Sequence, residues 1–178
     1  MHCSVTIRLL QSDYLDLAYS ITRDAYSLNF AHHWEEGGLS TYLDLVFGRE
    51  VLAVELGNSS IQYYVAFVDD KPAAFMKLNL NSNLPGLAPE MGIELEKLYV
   101  LPAFKGVGIG RLFLAQAIRV VKEQEKEVFW LAVLDKNDQG IAFYEKAGFR
   151  KHSKMQVHYP KFKEELKGMW RMIMPIQK

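Results

Sequence analysis

The spacing of apolar residues predicts a chain in which strands and helices are interleaved. Runs rich in β-branched and aromatic residues favour strands, and apolar residues that recur every three or four positions favour helices. The predicted strands span residues 5–10, 61–68, 73–80, 93–100, 128–133, 149–158 and 170–174. The predicted helices begin after an N-cap at Ser12 or Asp13, after an N-cap at Ser40, and near residues 49, 111 and 138.

Polar segments indicate how some of these elements connect. Asp69-Asp70-Lys71-Pro72 between two strands predicts an antiparallel hairpin. Residues 29–38 and 81–92 are predicted to be loops, and residues 161–167 a charged connection or a short helix. No linker, repeat or low-complexity segment divides the chain, so we expect a single domain over residues 1–178.

The stretch from Ile93 to Leu112 carries the clearest functional signal. Strand alternation predicts Leu95, Lys97 and Tyr99 on one face and Glu94, Glu96, Leu98 and Val100 on the other. Pro102 ends the strand because it has no N–H to donate. Glycines follow at positions 106, 108 and 110, and a helical pattern begins near Arg111. A strand that leads through a glycine-rich turn into a helix is typical of a phosphate site, because free amides point at the anion.

Two common phosphate-binding motifs do not fit this loop. A P-loop ends in Gly-Lys-Ser/Thr, whereas this loop ends in Gly110-Arg111-Leu112. The dinucleotide-binding fingerprint would need its third glycine at position 111, which is Arg111. It also needs an acidic residue at a strand end about twenty residues later, where this sequence has none.

The loop instead resembles the pyrophosphate-binding loop of the GNAT acetyltransferases, Arg/Gln-x-x-Gly-x-Gly/Ala. It reads Lys105-Gly106-Val107-Gly108-Ile109-Gly110, and the lysine keeps the cation of the usual residue but lacks a guanidinium fork. Residues 137–149 are similar to the family segment Asn-x-x-Ala-x-x-Phe-Tyr-x-x-x-Gly-Phe, with Gly140 where alanine is usual. Together the two motifs make a chance match improbable.

This resemblance implies a fold, a cosubstrate and a set of contacts. The fold is α/β, with a mixed and mainly antiparallel central sheet that is splayed at the acetyl-CoA site and flanked by helices. Acetyl-CoA is the implied cosubstrate, and no metal is implied. The backbone of Leu98, Tyr99 and Val100 would hold the pantetheine arm as an added strand, with one amide polarising the thioester carbonyl. The pyrophosphate would be bound by Lys105, Gly106, Val107, Gly108, Ile109, Gly110 and Arg111.

The same resemblance assigns roles to individual side chains. Tyr144 stands where the family has a tyrosine that can protonate the departing thiolate. Asn137 would bind the pantetheine or phosphate arm, and it is equally suited to cap the helix that begins near Asp138. Glu96 stands where family members carry a glutamate that accepts the proton of the amine, often through water, with Glu94 as the reserve. Alternatively, either carboxylate only stabilises a neighbouring cation or attracts the amine.

The N-terminal half is more loosely similar to the bacterial polyamine acetyltransferases of the PaiA type. The similarity lies in Tyr42-Leu43 through Phe47, Leu52 to Leu56, and the hairpin from Tyr63 to Asn79. It implies a primary amine such as spermidine or spermine as acceptor. Two alternatives stay open: an enzyme that acetylates a protein N-terminus or lysine, and a non-catalytic acyl-CoA sensor.

Charge and cysteine content restrict the partners and the location. The net charge is zero, which argues against nucleic acid or an anionic membrane as the main partner. Residues 1–92 hold 5 Lys/Arg against 11 Asp/Glu, and residues 93–178 hold 16 against 10. The basic half therefore suits a ligand with three phosphates. The acidic half would suit a cationic amine if its carboxylates cluster in space; the alternative, equally weighted, is that these charges are merely solvated surface faces. A small-molecule substrate is expected, and the family resemblance includes the possibility of a homodimer.

The remaining features concern compartment and metals. Cys3 is the single cysteine, and the chain lacks a signal peptide or a long apolar run, so we expect a cytoplasmic protein. His32, His33, Glu35 and Glu36 could suggest a metal site. Adjacent histidines point in different directions, however, so a loop that lines the substrate channel, or a plain surface loop, is the better interpretation.

Overall fold

The computed structural model describes residues 4–82 and 84–176, and Cys3 lies outside the described residues. Within these ranges seven strands form one sheet, in the order β1-β2-β3-β4-β5-β7-β6. The strands are β1 (Val5–Leu9), β2 (Ile61–Val68), β3 (Lys71–Asn79), β4 (Gly92–Val100), β5 (Val128–Leu134), β6 (Arg150–Gln156) and β7 (Gly168–Pro175). Strands β4 and β5 are parallel, and the other neighbouring pairs are antiparallel. The predicted mixed, mainly antiparallel sheet is confirmed.

Five α-helices of the described part cover the two faces of this sheet. They are α1 (Leu15–Phe30), α2 (Gly38–Phe47), α3 (Arg49–Leu56), α4 (Ile109–Glu123) and α5 (Asp138–Lys146). Helices α4 and α5 bury their apolar sides on one face, and helices α1 to α3 pack on the other. Alternate residues of β2 supply both cores, since Tyr64 and Ala66 belong to the first and Tyr63 and Val65 to the second. None of the helices described is long and apolar enough to cross a membrane.

Two helix starts differ from the sequence prediction. Ser12 and Asp13 lie in a 3-10 turn before α1 and form no side-chain cap, and Ser40 lies inside α2. The N-cap of α2 is Gly37, whose φ of 74° suits glycine. In the sequence, Leu28 follows Ala18, Ile21 and Ala25 at helical spacing, which predicts a buried position, but it is 65% exposed. With 3.6 residues per turn, Asn29 falls near the centre of the face formed by Ala18, Thr22 and Ala25, and Leu28 falls at its edge.

A β-bulge in β4 makes the predicted division of its faces wrong. Lys77 pairs with Lys97 while Leu78 pairs with Leu95, so Glu96 is an extra residue that faces no partner on β3. One extra residue reverses the alternation of all later side chains. Among these later residues, Leu98 and Val100 pack with Leu95 on the α4–α5 side, whereas Tyr99 packs on the side of α1 to α3.

Candidate active site

The sheet opens where β4 and β5 separate. The two strands are paired only from Gly92–Val128 to Leu95–Leu131, although β5 stays paired with β7 as far as Leu134. A cavity of about 530 Å³ lies beyond the last pair, between β4, β5, α5 and the end of α1. Beyond Leu95, β4 continues to Val100 with β3 on one side and no longer pairs with β5 on the other. The backbone of residues 98–100 therefore borders this opening. An extended ligand could lie along β4 there as an additional strand.

The glycine-rich loop follows β4 at the mouth of this opening. A 3-10 turn, Pro102–Phe104, ends the strand, and α4 begins at Ile109, two residues before the predicted start. Gly106 and Gly108 have φ angles of 85° and 89°, which residues with a Cβ rarely adopt. Position 110 favours a small residue for a different reason, because a Cβ there would lie 3.1 Å from the ring of Phe143 on α5. The loop conformation thus favours glycine at 106 and 108 through the backbone, and a small residue at 110 through the close contact with Phe143.

This loop leaves a row of backbone amides free. The N–H groups of residues 106–110 donate to no carbonyl within the described part of the chain. The family resemblance also assigns Lys105 and Arg111 to the pyrophosphate, but their amides are already bonded to Pro102 O at 3.3 Å and Gly108 O at 3.1 Å. Lys105 and Arg111 can therefore contribute only their side-chain cations. Five free amides at the start of a helix form a strong anion site.

A cleft of about 380 Å³ connects this anion site with the main cavity. Both are bordered by Phe30, Leu98, Tyr99, Lys105 and Phe143. An elongated ligand can therefore reach from the free amides to the gap between β4 and β5. Over the described residues no group of three or more His, Cys, Asp or Glu side chains is placed to hold a metal ion.

Tyr144 lies on α5 and borders the main cavity from the β5 side. Its ring packs against Phe143 and Phe149, with centroids 5.1 and 5.7 Å apart. Its hydroxyl has no hydrogen-bond partner among the described residues. Burial raises the pKa of Tyr144 above its ordinary value of 10.0, so the phenol stays protonated at neutral pH. The side chain is thus held firmly by its ring and presents a free O–H donor.

Asn137 caps α5, as one of its two predicted roles requires. Its Oδ1 accepts a hydrogen bond of 2.9 Å from the amide of Gly140, and its side chain also borders the main cavity. A Cβ at position 140 would lie 2.5 Å from Asn137 Nδ2. Glycine at this position therefore leaves room for the capping conformation, which explains the departure from the usual alanine.

Glu96 is the centre of a network in which two buried lysines pair with partly buried carboxylates. Its carboxylate accepts from Lys97 Nζ at 2.6 Å, from Lys77 Nζ at 2.8 Å and from Asn79 Nδ2 at 2.7 Å. Lys77 continues the network to Glu55 on α3, 2.6 Å away. Glu94 shares the Asn79 Nδ2 donor, at 3.0 Å, and also accepts from Ser82 at 2.7 Å. The bulge allows this arrangement, because it places Glu96 and Lys97 on the same side of the strand.

The two lysines determine the ionisation of Glu96. Burial alone would raise the pKa of the Glu96 carboxyl, but the charges of Lys97 and Lys77 and their hydrogen bonds hold it well below its usual range. Burial would lower the pKa of Lys97, yet the oxygens of Tyr42 and Glu96 raise it above its ordinary value. Both members of the pair are therefore charged at neutral pH.

Aromatic side chains and a lid enclose the far half of the cavity. Tyr26, Phe30, Tyr42 and Tyr159 line it beside Glu96. The lid consists of residues 31–38 and 157–167, which are joined by the Trp34–Phe162 bridge and by hydrogen bonds from Glu35 N to Lys161 O and from Lys163 N to His33 O. His33 borders the cavity, as one of the two interpretations of this loop predicts, whereas His32 is exposed.

The sequence prediction missed several residues of the site. Asn29 donates to Val100 O at 2.9 Å and ties the end of α1 to β4, but nothing in a helical pattern marks it. Lys77 carried a usable signal, because it is a lone charge in the apolar run of β3. Lys97 was named only as a strand residue, since the bulge that brings it beside Glu96 is not visible in the sequence.

Comparisons with known proteins agree with this geometry. A family model described as the acetyltransferase (GNAT) family matches residues 17–149. The chain is 25% identical over 151 residues to a spermidine N(1)-acetyltransferase of Thermoplasma acidophilum, a match that covers 83% of this chain and 89% of the relative.

Two solved structures show the same fold. A PaiA N-acetyltransferase from Thermoplasma acidophilum in complex with coenzyme A superposes with a TM-score of 0.77 and 21% identity, over 97% of this chain and 99% of that one. The ribosomal-protein-S18-alanine N-acetyltransferase from Escherichia coli gives a TM-score of 0.70 and 22% identity, over 98% and 96% of the two chains.

Proposed function

Because the chain belongs to the acetyltransferase (GNAT) family, and is thus an acetyl-CoA-dependent N-acetyltransferase, we propose that it acetylates a primary amine of a small molecule by direct transfer. The observation that carries this proposal is the opening between β4 and β5, with free amides at one end and charged and aromatic groups at the other. Both substrates can occupy the cavity together, so no acetylated residue of the protein is needed on the way.

The residues at the mouth of the opening suit acetyl-CoA. We propose that the free amides of residues 106–110 bind its pyrophosphate, assisted by the cations of Lys105 and Arg111. The exposed backbone of residues 98–100 would hold the pantetheine arm beside β4. Asn137 caps α5 at the edge of this path and can use its Nδ2 toward the same arm. When bound, acetyl-CoA supplies the thioester whose acetyl group is transferred.

Gly108→Ala should weaken binding of CoA. The φ of 89° at this position is about 1–2 kcal/mol less favourable for alanine, so the loop will shift and misalign its amides. We expect the Kd for CoA to rise about tenfold, a change that corresponds to about 1.4 kcal/mol. Isothermal titration calorimetry with CoA would measure it.

Gly57→Ala provides the matched control for that variant. Gly57 follows α3, its backbone has an ordinary negative φ of −85°, and a Cβ there would make only van der Waals contacts at 3.6 Å. CoA affinity should be unchanged in this variant. Equal affinities of the Gly108→Ala variant and the wild type would contradict the assignment of the loop amides to the pyrophosphate.

We propose two roles for side chains inside the cavity. The free hydroxyl of Tyr144 protonates the departing thiolate of CoA, because the phenol is a neutral donor at the pH of the cell. Glu96 binds and orients the amine. The sequence left this carboxylate three roles: proton acceptor, partner of a neighbouring cation, or group that attracts the amine. Its pairs with Lys77 and Lys97 agree with the second role, and its low pKa argues against the first. A weakly basic carboxylate accepts hydrogen bonds readily but retains a proton poorly.

The enclosed far half of the cavity supports a small acceptor. The lid adds His33, Tyr159 and Phe162 to the wall of the cavity that holds Glu96, which favours a small acceptor over a protein chain. Aromatic rings together with Glu94 and Glu96 suit a cationic amine. A polyamine such as spermidine or spermine is our specific proposal, and it is further supported by the name of the Thermoplasma acidophilum relative.

An acceptor panel tests this part of the proposal. CoA release from acetyl-CoA should be fastest with spermidine and spermine, and slow with amino acids, aminoglycosides and short peptides. Glu96→Gln should raise the KM for the amine about tenfold, because the carboxylate that binds the cation is lost. Glu50→Gln is the matched control, since Glu50 is an exposed glutamate in the first turn of α3, and this variant should keep the wild-type KM.

Two outcomes would select the alternatives. Turnover of peptides alone would assign the enzyme to a protein N-terminus or lysine, the kind of substrate named for the Escherichia coli structure. No turnover with any amine, while CoA still binds, would leave a non-catalytic acyl-CoA sensor.

We further propose a cytoplasmic enzyme that acts without nucleic acid or a membrane. A net charge of zero and a single cysteine support this. Its assembly, including a homodimer, can be measured by light scattering.

A further inference from the structure

Acetylation of an amine requires a group that takes up the proton of the nitrogen, and Glu96 is poorly suited to do so. Its two carboxylate oxygens already accept from Lys97, Lys77 and Asn79. Glu94 is bonded to Asn79 and Ser82. The tyrosines around the cavity are neutral donors, and Lys97 is already protonated. A different base must therefore be sought along the wall of the cavity.

His33 is a base that borders the same cavity as Glu96 and Tyr144. It ends a 3-10 turn, Ala31–His33, directly after α1, and its ring lies 5.3 Å from Phe30 and 5.8 Å from Phe162 between ring centroids. The hydrogen bond from Lys163 N to His33 O fixes the turn against the lid. Within residues 4–82 and 84–176 neither ring nitrogen makes a hydrogen bond, so the imidazole is available to a ligand.

The charges around His33 favour its neutral form. Burial lowers the pKa of the imidazole below its ordinary 6.5, and the neighbouring His32 and Lys163 lower it further. The other ionisable groups that border the cavity come from α1, α2, β4, the loop after β4, α5 and the β6–β7 connection; they are Tyr26, Tyr42, Glu94, Glu96, Lys97, Tyr99, Lys105, Tyr144 and Tyr159. An unprotonated imidazole at neutral pH can accept a proton.

We propose that His33 takes up the proton that the acceptor amine loses during acetyl transfer. This inference rests on the proposed function and concerns the same site. The attacking nitrogen is in its unprotonated form, after its ammonium proton has gone to solvent. It forms a bond to the acetyl carbon as the carbon–sulfur bond breaks, and the remaining proton that this bond makes acidic goes to a ring nitrogen of His33. The sulfur receives its proton from Tyr144. His33 then passes its proton to solvent on the side of exposed His32, and Tyr144 is reprotonated from solvent.

The pH dependence of kcat at saturating amine distinguishes His33 from Glu96. If His33 is the base, wild-type kcat should fall as the pH drops through a pKa below 6.5, because the protonated imidazole cannot accept a proton. If Glu96 is the base, kcat should show no such loss, since the pKa of Glu96 lies well below that range. His33→Gln should lower kcat about tenfold or more and remove the acid limb, with CoA affinity unchanged.

The adjacent histidine offers a matched control. His32→Gln replaces an exposed imidazole in the same turn, 4.2 Å from the ring of His33 between centroids. This variant should keep the wild-type kcat at neutral pH. The fall of kcat at low pH should move slightly to higher pH, because His32, whose charge lowers the pKa of His33, has been removed.

NMR titration of the imidazole protons gives a readout independent of turnover. The resonance lost in His33→Gln should titrate below 6.5 and shift when spermidine is added to the CoA complex.

The outcomes separate this inference from the proposed function. The role of His33 would be overturned if His33→Gln kept the wild-type kcat and the wild-type fall of kcat at low pH. It would also be overturned if Glu96→Gln, and not His33→Gln, removed that fall of kcat at low pH. A wild-type enzyme that acetylates no amine in the panel would instead overturn the proposed function.

Discussion

Replacing Tyr144 by phenylalanine should lower the rate of acetyl transfer about 10²–10⁴-fold, the usual contribution of a positioned proton donor. The ring of Tyr144 packs between Phe143 and Phe149, and phenylalanine keeps these contacts. Only the hydroxyl is removed, and that hydroxyl has no other hydrogen bond in the described part of the chain. The loss should therefore appear in the chemical step and in neither CoA affinity nor stability.

Single-turnover measurements with preformed enzyme and acetyl-CoA would isolate that step, because steady-state kcat can be limited by product release. CoA affinity, measured by calorimetry, and the melting temperature should match the wild type. Tyr14→Phe is a suitable control, since Tyr14 lies in the turn before α1 and is 38% exposed. Single-turnover rates within a factor of two of wild type in Tyr144→Phe would remove the proton-donor role.

The parts of the site that the sequence predicted depend on local chemistry. The loop after β4 needs glycines because Gly106 and Gly108 adopt positive φ, and this requirement is visible as a spacing. The cap of α5 by Asn137 is likewise a contact between residues three apart. The parallel contact of β4 with β5 ends after Leu95, and the mixed sheet predicted from the family resemblance included such a splay.

The charge network was not predictable, because it depends on long-range register. Lys77 meets Glu96 only through the pairing of β3 with β4, and Glu55 reaches Lys77 from α3, 22 residues earlier in the chain. A one-residue bulge decides whether Glu96 and Lys97 share a side, and an apolar pattern cannot show such a bulge. The role of the His33 turn depends in the same way on the distant β6–β7 connection.

Lys77→Met should be the most destabilising of these substitutions. The side chain of Lys77 is only 6% exposed and lies between Glu55 and Glu96, so its removal leaves two partly buried carboxylates without this cation. Breaking a buried pair from one side costs about 3–5 kcal/mol. In a protein of this size, that corresponds to a fall in Tm of about 10 °C. Chemical denaturation at neutral pH would measure the loss in the free energy of unfolding.

The pH dependence of this loss identifies Glu96 as its source. In the wild type, the pKa of Glu96 is lower in the folded protein than in the unfolded chain, where it is 4.5. The ionised carboxylate therefore stabilises the fold above pH 4.5, and this stabilisation is lost as the pH falls toward the pKa of the folded state. In Lys77→Met, the folded pKa of Glu96 should rise, because burial is then opposed by Lys97 alone. The variant can protonate Glu96 in mild acid, and its deficit in stability should shrink below about pH 5.

Two further variants make the test specific to the network. Adding Glu55→Gln to Lys77→Met should recover part of the lost stability, because it removes one of the two carboxylates that lost their partner. Arg49→Met breaks the exposed pair with Asp16 and should change stability by less than about 1 kcal/mol. If Lys77→Met cost no more than Arg49→Met, or if its deficit were the same at pH values near 4 and 7, Lys77 would not be the counter-ion that keeps Glu96 ionised. The carboxylate would then depend on Lys97 alone, and the bulge that places these two residues side by side would by itself determine the charge of the amine site.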